Sequence, residues 1–185
     1  ALRVIPNLNV FRPCDTVETA EAWALTLESE KTPSVLALTR QGLPIVRLEH
    51  TEENLTAKGG YILRDAEGGP RKVTLLASGS EVEIAMNARD VLQAEGIPTA
   101  VVSMPCMELF DQQSIEYRLS VLGEGSARVA IEAGLRDGWD KYLGIKGAFI
   151  GMTGFGASAP APELYKHFGI TSEAVVQAAK AGLEA

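Results

Sequence analysis

A chain of 185 residues can build one domain, or one domain with part of a second, and its 46% hydrophobic and 22% charged residues suit a globular protein with a core of useful size. No run approaches the roughly 18 apolar residues that a membrane-spanning helix requires, so no membrane partner is expected. A net charge of −7, from 24 acidic and 17 basic side chains, argues against nucleic-acid binding, which needs a basic footprint to displace counterions.

The chain opens on Ala1-Leu2-Arg3-Val4-Ile5, without Met and without a basic-then-apolar leader, and reads as the interior of a longer sequence. Asp15 or Thr16 caps a helix from Val17 to about Glu28, whose Ala20, Trp23, Ala24 and Leu27 share one face at helical spacing. Pro33 ends it, and Val35-Leu36-Ala37-Leu38 suits a strand of a parallel sheet. One helix and one strand cannot enclose a core, so residues 1–48 form only a partial α/β segment. A polar connector follows, with a linker over 49–56. Tyr61-Ile62-Leu63 is a short strand closed by the turn Gly68-Gly69-Pro70, with the character of an antiparallel edge, and Val73 to Ala77 is a buried strand. Ser80 and Glu83 have capping-box spacing before a helix that stops at Gly96.

Further on, the spacing predicts strands at Ala100–Ser103, Ala127–Ile131 and Ala148–Ile150. Helices are expected at Ile115–Leu122, Trp139–Leu143, Glu163–His167 and Ser172–Leu183. This alternation predicts an α/β domain over 57–185: an open, mostly parallel five-stranded sheet with helices on both faces.

Several groups invite a chemical reading. Gly154-Phe155-Gly156-Ala157-Ser158-Ala159 matches a dinucleotide fingerprint after a strand, but Pro160 and Pro162 stand where the helix should open and no later strand completes the unit. Ser78-Gly79-Ser80-Glu81 leaves backbone donors at a helix start, where either an anion or the cap itself accounts for them. Glu132 and Asp137, around Gly134 at a strand end, read as cleft carboxylates or as plain solvated ones. His50 and His167 have no ligand-spaced neighbours, no Gly-x-Ser-x-Gly elbow is present, and Cys14 and Cys106 belong to no metal or redox spacing. Two free thiols in a reducing cytoplasm are expected. Arg40, in Thr39-Arg40-Gln41, follows a strand's carboxyl end, where a guanidinium can receive a phosphate bidentately.

Ordered short motifs go further. Leu2-Arg3-Val4-Ile5-Pro6-Asn7 and Arg12-Pro13-Cys14-Asp15 resemble the late part of the transketolase pyrimidine-binding domain, and Ala37-Leu38-Thr39-Arg40-Gln41 with Leu43-Pro44 its last strand and loop. Lys58-Gly59-Gly60-Tyr61, Ser78-Gly79-Ser80-Glu81-Val82, Val101-Val102-Ser103-Met104-Pro105, Tyr117-Arg118-Leu119-Ser120-Val121-Leu122, Gly154-Phe155-Gly156 and Ala159-Pro160 continue the likeness in order. The resemblance covers essentially the whole chain. It implies the C-terminal portion of a cytoplasmic homodimer that uses thiamine diphosphate and a divalent metal (Mg or Ca). Such an enzyme passes a two-carbon glycolaldehyde unit from a ketose phosphate to an aldose phosphate, in the pentose phosphate pathway or the Calvin cycle. It also implies that the metal, the diphosphate and the cofactor-activating glutamate are held outside this portion. No catalytic, cofactor-binding or metal residue then falls within it, and Arg40 alone matches a residue that grips the sugar phosphate. Thr39, Gly42 and Cys14 stand where the family often has Ser, Asn and Ala. A free-standing α/β binding or regulatory module, and one subunit of a split transketolase, are the rival readings.

Overall fold

The computed structural model describes residues 2–184. Its first part is a β-α-β unit. Strand β1 (Asn9–Phe11) leads to helix α1 (Thr16–Glu28), and β2 (Ser34–Leu36) returns parallel to β1 with Val10 beside Val35. Asp15 starts α1: its Oδ1 accepts from the Glu18 N–H at 2.9 Å, and its Oδ2 accepts from the N–H groups of Val46 and Arg47 at 3.1 Å each. The cap residue thus also fastens the connector. Strand β1 was not expected from the sequence, because three residues are too few to show a period.

The second part contains the sheet. Strands β3 (Tyr61–Arg64), β4 (Val73–Ala77), β5 (Thr99–Ser103), β6 (Ala127–Glu132) and β7 (Ala148–Gly151) lie in the order β3-β5-β4-β6-β7. All pairings are parallel except β3 with β5, so the predicted antiparallel edge is present. Helix α2 (Glu81–Ala94) follows β4. Helices α3 (Met107–Asp111) and α4 (Ile115–Leu122) follow β5, α5 (Asp140–Leu143) follows β6, and α6 (Ala161–His167) and α7 (Ser172–Glu184) close the chain. The short helix α3 is a second element that sequence reading passed over.

Period-two alternation along the strands feeds two cores. Val73, Leu75, Val101, Val129 and Ile131 meet α2 and α7 on one face. Leu76, Val102 and Ala130 meet Phe110, Trp139 and Tyr142 on the other. A smaller cluster of Phe11, Ala22 and Cys106, joined by Leu25, Leu36 and Leu109, binds the β-α-β unit to the larger sheet.

One element turns an unexpected face inward, and one local expectation fails. The apolar stripe of α1 faces away from the rest of the described residues, leaving Trp23 50% and Leu27 79% exposed. Glu18 and Ala22 face inward instead, because Glu18 is held by three hydrogen bonds from buried partners. Ser80 forms no capping box. Gly79 (φ +59°) makes the turn, Ser80 is already helical at φ −60° and ψ −22°, and its hydroxyl donates to Glu81 Oε1 at 2.7 Å instead.

Candidate functional site

Strand order decides where a crevice opens. The chain passes from β4 to β5 on one side of β4, then crosses to β6 on the other. The loops leaving β4 and β6 therefore diverge, and at such a switch point open α/β sheets receive ligands beyond the strands' carboxyl ends. Here the crevice is lined by Ser78, Gly79 and Glu81 after β4, and by Glu132, Ala133 and Gly134 at the end of β6.

Two arginines from the preceding segment fill it. Arg3 grips Glu132 bidentately, with both nitrogen–oxygen distances 2.8 Å. Arg12, the residue after β1, forks between two carboxylates: its Nη1 donates to Glu132 Oε1 at 2.5 Å and to Ser78 Oγ at 2.8 Å, and its Nη2 donates to Glu81 Oε2 at 2.9 Å. The Ser78 hydroxyl in turn donates to Glu132 Oε1 at 2.6 Å, and the buried Trp139 indole donates to Oε2 at 2.8 Å. Tyr165 and the Ala133 N–H complete Glu81 at 2.6 and 3.1 Å. Two carboxylates meet two guanidiniums.

Burial alone would raise the Glu132 pKa. Hydrogen bonds and charge from Arg3, the charge of Arg12 and the Ser78 hydroxyl outweigh it and bring the carboxyl down to about 2. Burial likewise opposes the Arg12 charge, and Glu81 with Glu132 overcome it, so the guanidinium is held more firmly protonated. Glu132 is thus a buried ion-pair partner, neither a solvated carboxylate nor an open cleft lip. Asp137 stays exposed and takes no part. The donors at Ser78-Gly79 do not await an anion, since the Gly79 N–H is spent on the Arg12 carbonyl at 2.9 Å.

A second polar cluster joins the same two parts of the chain. The Glu18 carboxyl, fully buried, accepts from Tyr61 and Ser103 hydroxyls at 2.6 Å each and from the Cys14 N–H at 2.7 Å. Burial pushes its pKa up, more than those hydrogen bonds bring it down, and burial with the Glu18 charge also pushes up Cys14 and Tyr61. A carboxyl with a raised pKa holds its proton more tightly in the folded chain. Its contribution is therefore complete below the unfolded value near 4.5 and is lost as pH rises through the higher folded value. Glu18→Gln, whose oxygen can accept from the Cys14 N–H while its NH2 donates to the Tyr61 and Ser103 oxygens, should melt within about 2 °C of the parent at neutral pH and abolish that decline. Thermal melts across pH check this, and an unchanged slope would count against it.

Arg40 lies in an exposed bend beyond the carboxyl end of β2, and among the described residues it has no hydrogen-bond or ion-pair partner. The chain reaches it directly from the crevice edge, because Ala37 donates its N–H to the Phe11 carbonyl at 2.8 Å and Thr39 shares a cavity of about 230 Å³ with Arg12 and Gly79. The glycine loop around Gly154 builds no dinucleotide cradle. Helix α6 opens only at Ala161, after Pro160, and no strand follows among the described residues. The cavity of about 430 Å³ between this loop and α6 is walled mainly by apolar groups such as Phe155, Leu164 and Phe168. Among the described residues no three His, Cys, Asp or Glu side chains converge as metal ligands, and no helix is long and apolar enough to cross a membrane.

Sequence reading singled out Arg40, Glu132 and the Ser78–Glu81 turn, but it did not join Arg3 and Arg12 to them. The pairs lie 129 and 120 positions apart, and only the fold brings them together. The one signal available was charge placed beside strands that otherwise read as buried.

Comparison with known proteins agrees with this architecture. Residues 59–171 match the model of the transketolase-like C-terminal domain, and residues 1–46 match that of the transketolase pyrimidine-binding domain. A transketolase of Cereibacter sphaeroides is 59% identical over 180 residues, which are 97% of this chain and 27% of that protein. Transketolase from Leishmania mexicana has 43% identity and a TM-score of 0.87, over 99% of this chain and 26% of its own. A Pichia stipitis transketolase complexed with sedoheptulose-7-phosphate has 40% identity and a TM-score of 0.87, over 98% of this chain and 26% of its own. The chain thus spans about a quarter of the length of the relatives it matches. With a family model covering more than half of its residues, a five-stranded mixed sheet and relatives aligned along nearly its whole length, the chain belongs to the transketolase family.

Proposed function

We propose that this chain is the C-terminal portion of a transketolase that moves a glycolaldehyde unit from a ketose phosphate to an aldose phosphate, and that its own contribution is the phosphate grip of Arg40 together with domain and dimer contacts. The observation that carries the reading is an exposed guanidinium, partnerless among the described residues, in the loop that leaves the carboxyl end of β2, in a chain whose relatives include a sugar-phosphate complex. Kinetics with phosphorylated and unphosphorylated acceptors, side by side, test it. In this reading the enzyme is a homodimer in the cytoplasm, and the exposed apolar stripe of α1, with Trp23 and Leu27, packs against the rest of the pyrimidine-binding domain.

Thiamine diphosphate supplies the carbanion-stabilising chemistry in such an enzyme. The described residues do not fit it or its metal. No metal-ligand group converges among them, and the donors a diphosphate would need at the crevice are already committed, the Gly79 N–H to the Arg12 carbonyl and both guanidiniums to Glu132 and Glu81. The chain alone is accordingly expected to bind no thiamine diphosphate and to show no ketol transfer. Calorimetric titration with the cofactor and magnesium checks this, and a saturable heat of fixed stoichiometry would refute it.

The two matched spans support a division into a pyrimidine-binding portion at 1–48, a linker at 49–56 and a C-terminal domain at 57–185. A chain of residues 57–185 retains all five strands of the larger sheet and, apart from Cys14, Val46 and Leu55, both of its cores, so it should unfold in one cooperative transition. It should melt below the 185-residue chain, because Glu132 loses both arginines and Ser103 loses Glu18. A melt without a transition would place the boundary elsewhere.

A further inference from the structure

The crevice at the switch point has the position of a ligand site, yet what occupies it belongs to the same chain. Arg12 is held there as a ligand is held. Its N–H donates to the Pro105 carbonyl beyond β5 at 2.8 Å, and its carbonyl accepts from the Gly79 N–H beyond β4 at 2.9 Å. Its guanidinium lies over Gly79, where an added Cβ would come within 3.3 Å of Cζ and Nη2. Glu81 and Ser78 are fully buried, and Glu132 is 4% exposed. Each carboxylate is braced from behind by groups that belong to the five-stranded domain: Trp139 and Ser78 for Glu132, Tyr165, Ser80 and the Ala133 N–H for Glu81. The acidic pair is thus aimed from the domain toward the incoming segment. Planar, forked donors suit two carboxylates set apart, whereas a lysine ammonium offers only one point of charge.

We propose that the switch-point crevice of the C-terminal domain is a guanidinium receptor, whose occupant is Arg12, seconded by Arg3, of the chain's own pyrimidine-binding portion. The domain uses the place where related sheets hold small ligands to hold its neighbour. Because Arg12 directly follows β1, and the Phe11 carbonyl accepts from the N–H of Ala37, the residue after β2, the receptor also sets the register of the stretch that carries Arg40. The proposal does not depend on the phosphate role of Arg40, and its tests read stability and spectra rather than turnover.

Arg12→Ala in the 185-residue chain vacates the place of the Arg12 guanidinium between Glu81 and Glu132, with Arg3 still on Glu132. Millimolar guanidinium chloride should then raise its melting temperature, by roughly 3–5 °C at about ten times the dissociation constant, while leaving the unsubstituted chain unchanged or slightly lowered. Methylammonium chloride at equal ionic strength should give no such rise. Equal effects of the two salts, or no rise with guanidinium, would overturn the proposal. If Arg12→Ala shows no folding transition, Arg12→Lys decides. It keeps the charge and loses the fork, so it should melt roughly 4–10 °C lower. It should also displace the indole N–H resonance of Trp139, which donates to Glu132, far more than that of the exposed Trp23. A Lys variant with the parent's melting temperature and an unmoved Trp139 signal would show that the crevice does not read the guanidinium.

Discussion

Replacing Arg40 by Ala in a transketolase that carries this segment should lower kcat/KM for phosphorylated acceptors roughly 30- to 150-fold. A charge-assisted bidentate contact to a phosphate contributes on the order of 2–3 kcal/mol, and about 1.4 kcal/mol is tenfold. Arg40 is exposed and partnerless within the described residues, so its removal frees no buried carboxylate and should leave folding intact. Unphosphorylated acceptors have no phosphate to lose and should react almost as before. Arg40→Lys should recover only part of the loss, since an ammonium cannot reproduce the planar fork. If both acceptor classes lose equally and the melting temperature falls with them, Arg40 is a structural contact and the phosphate reading fails.

Glu132→Ala should be the most damaging single change at the junction. It leaves the guanidiniums of Arg3 and Arg12, each about one-fifth exposed, without their shared carboxylate, and it strands the Trp139 indole in the core. Breaking a buried pair costs about 3–5 kcal/mol, and the partial exposure of both arginines favours the lower end. The melting temperature should fall by roughly 6–12 °C.

The same residue sets an acid limit on the native chain. Its folded pKa, about 2, lies below the unfolded carboxyl value near 4.5. Its stabilisation is therefore complete above about 4.5 and disappears as pH falls toward 2, amounting to about 3 kcal/mol. Melts of the parent and of Glu132→Ala over that window should converge as pH falls. Parallel curves would show that Glu132 does not titrate as the ion pair requires.

How much of this was legible beforehand varies by element. Strands β4 to β7 and helices α2, α4 and α7 were visible because each repeats an apolar period over several residues, and the antiparallel edge followed from the turn beside it. Strand β1 and helix α3, of three and five residues, carry too little pattern to register. Ala20, Trp23, Ala24 and Leu27 share one face of α1 as their spacing predicts, but the face buried among the described residues is another one, centred on a glutamate. Periodicity counts apolar residues. It cannot anticipate a buried carboxyl satisfied by Tyr61 and Ser103 from distant strands.

Local order along the chain was enough to determine the α/β class, the five strands of the larger sheet and, through ordered motifs, the family. Those properties depend on neighbours within a few positions, whose spacing is written in the sequence. Only the tertiary structure decided that Glu132 is buried and paired, that Glu18 is held as a buried carboxyl, and that Arg12 fills the crevice between β4 and β6. A charged side chain reads the same whether solvated or paired. Its environment is set by residues more than a hundred positions away, brought within 3 Å when the crossover from β5 to β6 opens the crevice and β1 enters it.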